Sequence, residues 1–143
     1  MRATPLHPQL AQDCVLLGSF PLSSLLLMND SHYPWFILVP DRSAVSEIFQ
    51  LSSEDQNQLL QESSYLSRQL TQCFRADKMN LAALGNIVPQ LHLHHIVRFI
   101  TDPVWPAPVW GKLPARPYTP AAINELRAQL RPYLTDVVPF MWA

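Results

Sequence analysis

Three of the chain's five histidines fall in one short run, Gln90-Leu91-His92-Leu93-His94-His95-Ile96-Val97-Arg98. An extended segment sends alternate side chains to opposite faces. Gln90, His92 and His94 therefore share one face, while Leu91, Leu93 and His95 share the other. The leucines call for a core, so the Gln-His-His row is expected to face a cleft or solvent. An imidazole with its ordinary pKa of ~6.5 can serve near neutrality as nucleophile, general acid or general base. Two imidazoles at i and i+2 can also chelate a metal, but a catalytic zinc site needs a third protein ligand. A histidine pair can equally hold a phosphate through charge-assisted hydrogen bonds. The other two histidines, His7 and His32, lie far off in sequence, and no HExxH motif is present.

The elements that must position this run are legible around it. Cys14–Phe20 and Leu22–Met28 read as two strands broken at Pro21, and Asn29-Asp30-Ser31-His32 as a polar turn. Phe36–Val39 reads as a buried strand closed by Pro40. A helix is expected from about Ser53 to Arg75, with Ser52 and Asp55 as a capping box. Leu59, Leu66, Leu70, Cys73 and Phe74 form its core stripe, and Gln56, Gln61, Glu62 and Arg68 its outer side. Strands follow at about Met79–Leu84 and Leu91–Phe99, joined through Gly85-Asn86. Six prolines between Pro103 and Pro120 exclude a long helix or central strand there. Trp105, Trp110 and Tyr118 make that stretch an ordered arm packed on a surface or a second subunit. A last helix starts with Thr119 as cap and Pro120 in its first turn, buries Ile123, Leu126 and Leu130, and stops at Pro132. Strands joined by tight links, with helices apart from them, give an α+β fold with a mainly antiparallel sheet.

Composition removes several function classes. With 143 residues, a net charge of -1 and 48% hydrophobic residues, the chain is expected to fold as one domain, 1–143, with a core at about 14–99, the arm at about 102–119 and a helix and tail at 120–143. The charge gives no footprint for a nucleic-acid polymer. Three glycines, Gly18, Gly85 and Gly111, exclude Gly-rich dinucleotide and P-loop motifs. The longest apolar run, Leu25–Met28, is far short of a membrane span, and no secretory signal follows Met1-Arg2. Cys14 and Cys73 form no CxxC motif and read as reduced thiols of a cytoplasmic protein.

The run QLHLHHI resembles the signature of the histidine triad (HIT) superfamily, His-φ-His-φ-His-φ-φ with φ apolar, with Gln90, His92 and His94 in the three histidine positions. Met28–Arg42, MNDSHYPWFILVPDR, is similar to that family's ribose-contacting turn and following strand, and the resemblance covers roughly Cys14–Phe99. It implies a HIT-like fold and a small-molecule nucleotide substrate, with no cofactor and no metal. His92 would attack the α-phosphorus to form a nucleotidyl-imidazole, oriented by the backbone carbonyl of Gln90. His94 would bond phosphate oxygens, Asn86 would contact phosphate, and Asn29 the ribose. Gln90 replaces the first histidine, and Trp35 stands where many relatives carry a further one, which puts proton transfer to the leaving group in question. Trp35 fits either core packing or a pocket wall. His95 reads as a core histidine satisfied by a carbonyl, Arg98 as a solvated strand end, His32 as an exposed turn residue, and Asp41-Arg42 as solvated charge. The expected activity is cleavage of a nucleoside phosphoramidate, an adenylylated adduct or a dinucleoside polyphosphate. The alternative is a nucleotide-binding module with little catalysis, and a metalloenzyme ranks third. The resemblance also implies a homodimer, for which the aromatic arm and the apolar run Val137–Trp142 supply sticky surface.

Overall fold

A computed structural model describes residues 2–135 and 137–143. Its elements in chain order are α1 (Pro8–Asp13), β1 (Cys14–Ser19), β2 (Ser23–Met28), β3 (Trp35–Pro40), α2 (Ser53–Phe74), β4 (Lys78–Ala82), β5 (Leu93–Arg98), α3 (Pro120–Leu130) and β6 (Met141–Trp142). The strands form one six-stranded sheet in the order β4-β5-β3-β2-β1-β6, antiparallel at every junction. The α+β expectation holds.

Each face of the sheet has its own cover. Phe36 and Leu38 of β3, Leu25 and Leu27 of β2, and Leu93 and Val97 of β5 pack against Leu59, Leu66 and Leu70 of α2 and Leu126 and Leu130 of α3. The alternate residues Trp35, Ile37 and Val39, with Leu26 and Ile96, pack against Leu10 of α1 and Val109 of the proline-rich arm. β3 is therefore buried on both sides, which is why it reads as an unbroken apolar block rather than an alternation.

The long helix starts as expected, with Ser52 Oγ accepting from Asp55 N at 3.1 Å. The carboxylate of Asp55 does not complete the box. It takes Arg42 in a two-pronged ion pair at 2.7 and 3.0 Å. Asp41 accepts from the backbone N–H groups of Ala3 and Thr4, so both charges expected in solvent tie down neighbouring chain. Glu62, expected on the outer side of α2, is fully buried. It lies on the same stripe as Leu59 and Leu66 and accepts from Leu22 N at 2.8 Å, capping the β1–β2 turn. The helix ends at Arg75 in the left-handed region, φ 55.

Two elements lie outside the expectation. α1 is a six-residue helix capped by His7, whose ring accepts from Gln9 N. β6 pairs with Gly18 and Ser19 of β1. A Cβ at Gly18 would overlap the Met141 carbonyl and the Phe140 ring, so a side chain there would drive β6 off the edge.

The arm lies on its own sheet. Arg98, expected in solvent, is 1% exposed, because Asp102 turns back to meet it through two bonds of 2.8 and 3.1 Å. Asn80 Oδ1 accepts a third bond, and the Tyr33 and Trp105 rings flank the guanidinium at 5.7 and 5.6 Å. Asp102 also accepts from Val104 N and Trp105 N, setting the turn that carries the arm across the second face. Thr119 caps α3 as expected.

Candidate active site

β5 begins at Leu93, so His92 stands on the last residue before the strand and His94 on its second residue. Their rings meet edge to face at 4.9 Å. The shared face predicted from strand parity is observed, but both histidines are buried, at 6% and 3% exposure.

His92 Nδ1 lies 2.7 Å from the backbone oxygen of Gln90. A carbonyl only accepts, so in the neutral ring the proton sits on Nδ1 and Nε2 carries the lone pair. The ring packs directly on Gly85, where a Cβ would stand 2.9 Å from His92 Cε1. Here Gly85 provides a close approach that any side chain would block. A cleft of about 190 Å³ opens beside the ring, lined among others by Ser46, Gly85, Asn86, Gln90 and His92. Asn86 is exposed at its rim.

The side chain of Gln90 points elsewhere. Its Oε1 accepts from His7 N at 2.7 Å and its Nε2 donates to Pro5 O at 3.0 Å. The amide thus clasps the N-terminal segment. A second hollow of about 390 Å³ adjoins, bounded by that segment and by Arg42, Ala44 and Val45, and shares Ser46, Pro89 and Gln90 with the first.

His94 is held on both sides. Trp35 Nε1 donates to its Nδ1 at 3.0 Å, and its Nε2 lies 2.9 Å from Leu84 O. Trp110 of the arm stands edge-on at 5.1 Å from the ring. Burial under this cover pushes the imidazole pKa down to about 4. Trp35 is therefore a core residue that also bonds His94. His95, on the other face, bonds Ser63 Oγ and its ring nitrogen Nδ1 lies 3.0 Å from Leu93 O, and burial likewise pushes it down to about 4.

Asn29 is not brought to His92. Its Oδ1 accepts from Tyr118 N at 2.8 Å, anchoring the end of the arm. The register sets Leu27 opposite Phe36 and Phe36 opposite His95. That places Asn29 five residues from His92 along the strands, on the order of 16 Å at ~3.3 Å per residue. Its neighbour Asp30 is buried and bonds His32, at 2.7 Å, and Arg116 N, so His32 is not a free turn residue. Among the described residues no group of three His, Cys, Asp or Glu side chains could hold a metal ion. No helix among them is long and apolar enough to cross a membrane. Sequence reasoning did not single out Gly85 or the Leu84 carbonyl. The one available signal was a glycine in a chain with very few.

The model of the HIT domain matches residues 9–101. The chain belongs to the HIT family. Solved structures of other HIT proteins agree over nearly the whole length. A histidine triad protein from Marinobacter aquaeolei VT8 is 52% identical, with a TM-score of 0.91, covering 94% of this chain and 98% of that one. Histidine triad proteins from Bradyrhizobium japonicum and Sinorhizobium meliloti 1021 are 40% and 39% identical, with TM-scores of 0.89 and 0.90, each covering 92% of this chain and 98% of its own. No curated protein matches at a significant level. The HIT match ends at residue 101, just before Asp102, so the arm that covers His94 lies beyond the matched segment.

Proposed function

We propose that this HIT protein is a nucleotidyl hydrolase or transferase in which His92 is the nucleophile. The observation that carries the reading is the Gln90 carbonyl on His92 Nδ1, which puts the lone pair of the neutral ring on Nε2, beside a polar cleft. Nε2 attacks the α-phosphorus of a nucleoside phosphoramidate, adenylylated adduct or dinucleoside polyphosphate. The new bond is P–N, and the leaving group departs with the old bonding pair and takes a proton from water. A second water then attacks phosphorus, breaks the P–N bond, releases the nucleoside monophosphate and restores the imidazole. Splitting one displacement into two is what a covalent nucleophile contributes. The cleft of about 190 Å³ is below the ~300–1,000 Å³ of whole-ligand pockets. It suits the phosphoryl group, with Asn86 beside it, and leaves the rest of the substrate to the adjoining hollow.

The test is intact mass after brief incubation with adenosine 5′-phosphoramidate, for wild type and His92→Ala. A nucleotidyl adduct or AMP release that vanishes in the variant supports the reading, and neither signal in wild type ends it. One observation favours a second reading, a binding module of low turnover: the side chains of Gln90 and His94 are already committed to protein partners. That reading requires AMP to bind by calorimetry without any adduct forming.

The assembly proposed is a homodimer through the β4 edge. The aromatic arm and Phe140 and Trp142 no longer argue for it, because they pack within the chain. β4 is an edge strand with Leu81 exposed, and Leu84 and Ile87 are exposed in the turn that follows, an edge of the kind that natural proteins cover. The free thiols of Cys14 and Cys73 suit a cytoplasmic setting.

A further inference from the structure

His94 has a partner on each ring nitrogen, and the two partners differ in kind. An indole N–H can only donate and a carbonyl can only accept. Trp35 Nε1 faces Nδ1 and Leu84 O faces Nε2, so a single state satisfies both: Nδ1 bare, Nε2 protonated, ring neutral. A second proton on Nδ1 would point at the indole N–H. Neither nitrogen remains for a ligand, and Trp110, Trp35 and His92 close round the ring.

The bond that His94 donates ends on the residue next to Gly85. Gly85 in turn is the surface on which the His92 ring lies, with Val88 O close to the same point. His92 is thus fixed at two points, by Gln90 O on Nδ1 and by Gly85 beneath Cε1. The second point belongs to a turn, Leu84-Gly85-Asn86, outside regular structure, which His94 ties to β5. We infer that His94 is a positioning residue, locked by the Trp35 N–H into one tautomer so that it pins the Leu84 carbonyl and holds the Gly85 turn against His92, and that it does not contact the phosphate. The inference rests on the reading of His92 as the reacting group. It gives Trp35 a task that a hydrocarbon ring could not perform.

The experiment uses the full chain, labelled with ¹⁵N-histidine, and adenosine 5′-phosphoramidate as substrate. At pH 7.5 the wild-type His94 signal is expected to show a protonated Nε2 and a bare Nδ1, unchanged by added AMP. Trp35→Phe keeps an aromatic ring and removes the donor; Leu84 O still holds the proton on Nε2, and the bare Nδ1, left without its partner, is expected to shift its ¹⁵N signal. His94→Gln offers a carbonyl oxygen to Trp35 and an N–H to Leu84 O, and should keep kcat within about fivefold. His94→Ala offers neither and should lower kcat at least a hundredfold with little change in KM. In parallel, the His92 signal, protonated on Nδ1 only, stays sharp in His94→Gln and broadens in His94→Ala. Equal loss in the Gln and Ala variants, a rise in KM in place of a fall in kcat, or a proton gained by His94 when AMP binds overturns the inference. Should wild type turn over nothing, the reading of His92 as nucleophile fails by itself. The His92 and His94 signals still decide whether the pin exists.

Discussion

Lowering the pH from 7.5 to 5 will destabilise this fold by about 4 kcal/mol through two histidines. His94 and His95 are buried on opposite faces of β5, and burial brings each down from 6.5 to about 4. The folded pKa lies below the unfolded one, so between about 4 and 6.5 the unfolded chain binds more protons. The stabilising contribution is complete above the unfolded pKa and is lost as pH falls toward the folded one. At pH 5 the unfolded-state gain for one such group, RT ln(1 + 10^1.5), is about 2 kcal/mol, against almost nothing for the folded state. Two groups give about 4 kcal/mol, a large share of a typical stability of ~5–15 kcal/mol. The other shifted acids do not reproduce this. Asp102 and Asp41 are held below the usual carboxylate range, by Arg98 for the first and backbone N–H groups for the second, and change stability only at lower pH. Glu62 is pushed up by burial, takes a proton more readily when folded, and offsets part of the loss. Urea unfolding followed by far-UV circular dichroism at pH 7.5, 6 and 5 measures the total. His94→Gln should halve it, since one of the two titrating groups is gone. A loss under 1 kcal/mol, or an unchanged slope in His94→Gln, refutes the argument.

Gly85→Ala places a methyl 2.9 Å from His92 Cε1 and 2.8 Å from Val88 O, so the ring must shift and turnover of adenosine 5′-phosphoramidate should fall tenfold or more while AMP affinity changes little. Asp102→Asn leaves the Arg98 charge buried without its counter-charge, facing only neutral amides at Asn80 and at position 102. Breaking a buried pair in this way costs ~3–5 kcal/mol, and the loss should appear in urea unfolding together with altered tryptophan fluorescence as Trp105 and Trp110 loosen. Leu81→Glu with Ile87→Glu puts charge along the β4 edge and should convert a dimer to monomers in light scattering, with no change in far-UV circular dichroism.

The parts read correctly from sequence are those whose cause is local. Ser52 and Thr119 cap helices because a hydroxyl stands three residues before an N–H that needs an acceptor. β3 announced itself because both its faces are covered. The parts misread depend on chain distant in sequence or on structure beyond the strand. Arg98 reads as a solvated strand end until the backbone turns and sets Asp102 against it. Glu62 sits on the apolar stripe of α2, but what it serves is the N–H of Leu22, 40 residues earlier. α1 is too short for its periodicity to be seen, and β6 exists only because β1 offers an edge.

The two histidines on one face illustrate the same division. Parity puts His92 and His94 side by side and makes them equivalent candidates for chemistry. They become different through their neighbours: His92 receives one carbonyl and a glycine, His94 a carbonyl and an indole N–H. One partner leaves a nitrogen available to attack, and two partners leave none. Because a nucleophile must be both unprotonated and fixed, a second imidazole with both nitrogens occupied is more useful as a brace than as a competing base. The tryptophans that produce this asymmetry come from different places, Trp35 from β3 and Trp110 from the proline-rich arm. Reading the active site therefore required the cover over β5 as much as the histidines on it.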